Sequence, residues 1–368
     1  MSSLQAIKPL LYDSTFEQVP EDEAETTREL IETLRSILDT TSHDYGHAVR
    51  SVHAKSHALL QGELHVNAGL PAELAQGLFS TPGNYPVVLR FSTNPGDLLA
   101  DSVSTPRGLA IKVTGAKGPR LPGGESATTQ DFVMQNAPAF TASTPKQFLK
   151  TLKLLAKTTD KGPGMKQALS AVLRGVEAAV ESLGGESGTI KSLGGHPETN
   201  ILGETYYSVV PLLYGDYFAK LSIAPVSPGL TALVDAPVDL KDRPDGLRES
   251  VKEFFSSSGG EWELRVQLAT DIKKMPIEDA AKKWPEDESP YVAVARIVVN
   301  SQPAWSDARS TAVDDGMAFS PWHGLSAHRP LGGVNRTRKP AYEMSSEFRQ
   351  SHNGCPFHEP GSFSPLPE

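Results

Sequence analysis

"YPVVLRFST" (85–93) reads as a β-strand, and the segments around it decide the fold. "GELHV" (62–66) stands before it, and "RGLAIKVTG" (107–115) and "TTQDFVMQN" (128–136) follow. Gly, Pro, Asn and Asp clusters separate these runs, the texture of an antiparallel meander. Strand character resumes in "TYYSVVPLLYGDYFAKLSIAPV" (205–226), where "YGD" is a turn between two runs. It continues in "EWELRVQLAT" (261–270) and "YVAVARIVVN" (291–300). The total is roughly eight strands, and closing them into a barrel leaves no exposed edge. The expected class is therefore α+β: an antiparallel eight-stranded β-barrel with inserted and C-terminal helices.

The helices punctuate this pattern. "PEDEAETTRELIETLRSILDT" (20–40) places Leu30, Ile31, Leu34 and Leu38 at helical spacing behind an acidic first turn. Residues 145–183 carry a second helical periodicity inside the strand region, and a helix is expected over 338–350. The organisation predicted is an arm and helix over 1–44 and a barrel over 45–302 with its helical insertion at 145–183. A wrapping segment and helix then occupy 303–350, and a flexible tail 351–368.

Composition excludes several functions. The 368 residues include 31 Gly and 29 Pro, which fits many turns and long connections. A hydrophobic content of 38% suffices for a sizeable core. A net charge of −9 argues against a nucleic-acid partner and against an anionic membrane surface. No run approaches 18 uninterrupted apolar residues, so no membrane insertion is expected. A single cysteine, Cys355, permits no intramolecular disulfide and fits a reducing compartment. The N-terminal stretch lacks the basic start and apolar run of a secretory signal, so a cytoplasmic location is expected.

Two short stretches carry the chemistry. In "RSVHAK" (50–55), Arg50 precedes His53 by three residues. In "RTRKPAYEMSSEFRQ" (336–350), Tyr342 and Arg349 lie only ~40° and ~20° around a helix from Arg338, so the three share one face. A guanidinium beside a phenol favours the phenolate, a hard anionic ligand for ferric iron.

Together these motifs resemble the haem catalases. "RSVHAK", then "RFST" (90–93), then Pro106, Arg107, Gly108, Ala110 and Lys112, then "DFVMQNAP" (131–138) and finally Arg338, Tyr342 and Arg349 follow the family's order. "SPWHGLSAHRPLGGVNRTR" (320–338) is most similar to the short catalase-related peroxidases. The proximal helix departs from the family in "KPAYEMSSEF", and Gln135 rather than Asn136 falls in the register of the distal asparagine.

The resemblance implies haem b ligated through its iron by Tyr342. His53 would be the distal acid–base group, oriented by Ser92, with Asn136 or Gln135 hydrogen-bonding the peroxide. Arg50, Arg90 and Arg349 would bind the propionates, Arg338 would tune the ligand, and Val52 and Phe148 would touch the porphyrin. The implied activity is peroxidase with weak catalase activity, reducing hydrogen peroxide or organic hydroperoxides through a ferryl intermediate. A small-molecule electron donor and assembly as a homodimer are expected with it. One alternative is a fatty-acid hydroperoxide isomerase or lyase, but such enzymes carry Thr where Val52 stands. Another is a haem or lipid carrier, which needs no distal base.

Other motifs carry less. His352, Cys355 and His358 supply three candidate zinc ligands where a structural site needs four. His323 and His328 are read as loop histidines. Walker, dinucleotide and G-x-S-x-G signatures are absent from the sequence.

Overall fold

The structure is a computed structural model that describes residues 8–156, 196–360 and 364–368. The expected insertion at 145–183 is described only as far as Ala156; its remainder lies outside the described residues.

The strands are β1 (Lys55–Val66), β2 (Asn84–Thr93), β3 (Arg107–Thr114), β4 (Thr129–Gln135), β5 (Tyr206–Tyr207), β6 (Leu212–Tyr214), β7 (Tyr217–Pro225), β8 (Gly260–Leu268) and β9 (Val292–Val299). Eight of them close an antiparallel ring, β1-β2-β3-β4-β5-β7-β8-β9 and back to β1. β6 forms a hairpin with the start of β7 across the expected turn. The run before that turn is not one strand. β5 and β6 pair with successive parts of β7, and Val209, at φ 55°, lies in the break between them.

Alternation fills the barrel, because successive strand residues point to opposite faces. Leu60, Leu64, Val87, Leu89, Phe91, Leu109, Ile111, Phe132, Met134, Leu221, Trp262 and Leu264 turn inward into one buried cluster. Arg90, Ser92, Gly108, Ala110, Val133 and Gln135 therefore lie on the outer face of β2, β3 and β4. β1 begins seven residues earlier than the sequence pattern indicates, and its register shifts between Ser56 and Ala58. The strand thus starts two residues after His53.

Among the described residues four longer helices surround the barrel: α1 (Glu23–Tyr45), α2 (Pro145–Ala156), α3 (Gly246–Ser257) and α4 (Gly332–Asn353). α1 ends at Gly46, whose φ of 64° is the left-handed conformation that stops a helix cheaply only at glycine. Its apolar stripe packs with α2 and α4 through Leu30, Leu34, Ile37, Leu149, Leu152 and Ala341. Burying each such leucine contributes about 1.5–3 kcal/mol. α4 starts six residues before the expected 338. Glu17 and Glu278 accept its first amides, from Gly332 and Gly333, at 3.0 and 2.9 Å. Periodicity cannot reveal caps supplied from so far along the chain.

The free tail expected from 351 is not what the described residues show. Leu366 is only 7% exposed, against Val313, Met317 and Phe319. Glu359 reaches the buried Lys112 at 2.7 Å and accepts the Ala318 amide at 2.9 Å. A buried ammonium needs anionic partners, and the tail supplies one of them. Among the described residues no helix is long and apolar enough to cross a membrane.

Candidate functional site

Between the outer face of β2–β4 and helices α1 and α4 lies an open cavity with about 700 Å³ of empty space, part of it open solvent. The barrel contributes Arg90, Ser92, Gly108, Ala110 and Val133 to its lining. α1 supplies Leu34, α4 supplies Ala341, Tyr342, Ser345, Ser346 and Arg349, and the stretch before β1 supplies Arg50, Val52 and His53. Residues 292 positions apart in the chain, Arg50 and Tyr342, thus face one space.

His53 has φ 53°, in the left-handed region that costs a side-chain-bearing residue roughly 1–2 kcal/mol. The bend turns its ring against Gly108. A Cβ on Gly108 would lie 2.7 Å from His53 Cε1 and Nδ1, so only glycine leaves the ring its place. Two long contacts orient the imidazole: Nδ1 is 3.4 Å from Ser92 Oγ, and Nε2 is 3.4 Å from Gln135 Nε2. Ser92 Oγ also lies 3.5 Å from the Gly108 carbonyl. A consistent assignment has Nδ1–H donating to Ser92, whose hydroxyl donates to Gly108, while the Gln135 amide donates to Nε2. Burial, with Arg90 and Arg338 adding positive charge, pushes the His53 pKa down to about 3. The ring is therefore neutral at ordinary pH and able to accept a proton.

Asn136 does not join this group. It follows the last residue of β4, and successive residues of an extended chain turn to opposite sides. Its Oδ1 accepts the Arg107 amide at 2.9 Å, and its Nδ2 meets His196 at 2.7 Å and donates to Glu204. Of the two amides considered from sequence, Gln135 is the one beside His53, although it contacts the ring rather than lining the cavity.

Tyr342 points into the cavity from α4. Arg338 Nη2 donates to its hydroxyl at 3.0 Å and Nη1 donates to Asn335 Oδ1 at 3.1 Å. Asn335 is itself fixed, its amide donating to the carbonyls of Pro211 and Leu331. The guanidinium carbon stands 5.3 Å from the Tyr342 ring centroid.

Arg50, Arg90 and Arg349 gather at one edge, all three on Asp314. Arg90 Nε donates to its Oδ1 at 2.6 Å and Arg50 Nη1 at 3.2 Å. Arg349 Nη1 donates to the Asp314 backbone carbonyl at 2.7 Å. Asp314 sits in a π-type turn, Thr311–Asp315, a rare element that recurs at functional sites. Burial raises its pKa, but Arg90, Arg50 and hydrogen bonds from Ser56 and Arg90 outweigh burial and hold it at about 2.

Val52 and Phe148 were expected against a porphyrin, and of the two only Val52 lines the cavity. Phe148 is not among the lining residues: it packs on Phe140 at 5.0 Å between centroids, because its face of α2 turns to the helical cluster. Asp314 was not anticipated. It lies 224 residues from Arg90, and no local pattern marks it.

These residues fit a haem. One tyrosinate oxygen suffices as protein ligand when a macrocycle supplies the other donors. Arg349, 4% exposed, leaves its Nε without a hydrogen-bond partner at the arginine edge, where an anionic group would meet it.

No protein-family model matches the chain, and no curated protein matches its sequence. Solved structures do match. A fungal catalase aligns with a TM-score of 0.62 at 19% identity, over 86% of this chain and 62% of its own. A bacterial catalase aligns at 0.59 and 17%, over 94% and 64%. Catalase A from Saccharomyces cerevisiae aligns at 0.59 and 19%, over 93% and 68%. The fold is that of these catalases, and the chain spans less than two thirds of the length of the first two.

Proposed function

We propose that the protein is a haem-dependent peroxidase with weak catalase activity, of the short catalase-related kind, acting on hydrogen peroxide or organic hydroperoxides. The observation that carries this reading is the pairing of His53 and Tyr342 across one cavity, with Arg338 bonded to the phenol.

Tyr342 would hold the haem iron through its phenolic oxygen, and Arg338 would stabilise the negative charge there. Arg349, Arg50 and Arg90 would hold the carboxylates by charge-assisted hydrogen bonds. Bound haem would supply the redox chemistry that cleaves the O–O bond. His53 Nε2, neutral and with its lone pair free of a proton, takes the proton from one peroxide oxygen and returns it to the other. The leaving group is then water, or an alcohol from an organic hydroperoxide. Ser92 fixes the tautomer this transfer requires, and Gln135 steadies the ring from its other nitrogen. Leu34, Val52, Ala341 and Phe319 keep the site apolar, which strengthens each of these polar interactions. A small organic donor returns the electrons.

Product analysis tests the reading. Haem-loaded protein, a fatty-acid hydroperoxide and a phenolic donor should give the alcohol and oxidised donor. An epoxide, ketone or aldehyde formed without donor consumption would replace this reading with the isomerase.

A further inference from the structure

Asp314 belongs to none of the motifs above, yet it is the centre of the arginine edge. Its Oδ1 binds Arg90 and Arg50, its Oδ2 accepts Ser56 Oγ at 2.7 Å and Ser310 Oγ at 2.8 Å, and its carbonyl binds Arg50 and Arg349. Every acceptor of the residue is therefore engaged. Two guanidinium groups, Arg90 and Arg50, pair with this carboxylate and a third, Arg349, binds its backbone carbonyl; Arg90 is 2% and Arg349 4% exposed. The neighbouring Asp315 is turned to His47, at 2.9 Å. The three guanidinium groups face the Asp314 carboxylate and, at longer range, Asp315, which leaves the cluster net positive.

We infer that Asp314 is a built-in counter-ion: it positions the three arginines and holds them together before a dianionic ligand arrives. This rests on the haem reading for the identity of the ligand, but not for the role of the carboxylate. Without the Asp314 carboxylate, three like charges stand in a site with little water to screen them; Arg90 and Arg50 lose their ion pair, and Arg349 keeps only the backbone carbonyl. A bound dianion restores the missing negative charge. The loss on removing Asp314 is then large in the ligand-free protein and small once the dianion is in place. A residue that merely braced the loop would be missed equally in both states.

The test is thermal unfolding of the full chain, wild type against Asp314→Asn, Asp314→Ala and Asp314→Glu, with and without haem. Asp314→Asn should lower the melting temperature of the haem-free protein by about 5 °C or more, well beyond the ~2–4 °C that 1 kcal/mol moves a domain of some 200 residues. Haem should bring that variant to within about 2 °C of the loaded wild type, whereas haem dimethyl ester, which lacks both carboxylates, should not. Asp314→Glu should recover part of the loss, and Asp314→Ala should behave as Asp314→Asn or worse. An equal fall with and without haem, or equal rescue by the dimethyl ester, overturns the inference. If the wild type takes up no haem, the haem reading fails separately, and inorganic pyrophosphate serves as a multiply charged anion in its place. Selective rescue of Asp314→Asn by pyrophosphate then supports the counter-ion, and none overturns it.

Discussion

Arg338 Nη2 donates to the Tyr342 hydroxyl at 3.0 Å from one helical turn away, while Asn335 holds the other arm of the same guanidinium. A cation fixed this way sets the direction of the phenol, and under the proposed reading it would form the second layer of the ligand site. Arg338→Ala should weaken haem affinity by about 10–100-fold, the usual effect of removing a partner behind a metal ligand. Titration of the haem-free variant with haem measures it. Affinity equal to wild type would show that Tyr342 needs no such partner.

His53→Ala should keep the haem and slow its reaction with peroxide by at least ~10²-fold, the lower range for acid–base catalysis. Stopped-flow absorbance gives the rate directly. A rate equal to wild type would remove His53 from the chemistry.

The His53 pKa also fixes a pH signature. It is lowered from the ordinary 6.5 to about 3, chiefly by burial. Above pH 6.5 neither folded nor unfolded chain protonates the ring. Between 6.5 and 3 the unfolded chain gains a proton that the folded chain refuses, so stability falls on acidification. His53→Gln should make urea unfolding less sensitive to pH over 7.5 to 4.5. His328, lowered to about 4 by burial, leaves a residual slope. An unchanged slope in His53→Gln would mean that the folded protein protonates His53 normally.

Gln135 and Asn136 separate by function. Gln135→Ala should slow peroxide reduction by about 10-fold with little loss of stability, since its contact with His53 is long. Asn136→Ala should leave the rate near wild type and cost about 1–3 kcal/mol, because the Arg107 amide and Glu204 lose a partner. Kinetics and chemical denaturation of both variants distinguish the two. The opposite pattern would put Asn136 at the substrate.

The sequence made this site legible where spacing is local. Arg338, Tyr342 and Arg349 fall on one face of a helix because 3.6 residues per turn is a property of any helix, and the β-type runs at 85–93 and 107–115, set off by Gly, Pro, Asn and Asp clusters, marked the barrel wall that carries Arg90 and Ser92. Long-range pairing was not legible. Asp314 meets Arg90 across 224 residues, and Glu17 and Glu278 extend α4 from distant loops. The tail looked free because its partner, Lys112, is a buried ammonium on a strand whose need for an anion appears only once the barrel closes. The choice between Gln135 and Asn136 turned on where β4 ends, a boundary that periodicity places only to within a few residues.

The absorption spectrum of haem-loaded wild type and Tyr342→Phe tests the central claim most directly. The account predicts a Soret band with high-spin ferric tyrosinate features in the wild type, changing on addition of hydrogen peroxide, and loss of the haem or of those features in Tyr342→Phe. A spectrum identical in both proteins, or a wild type that takes up no haem, would contradict it.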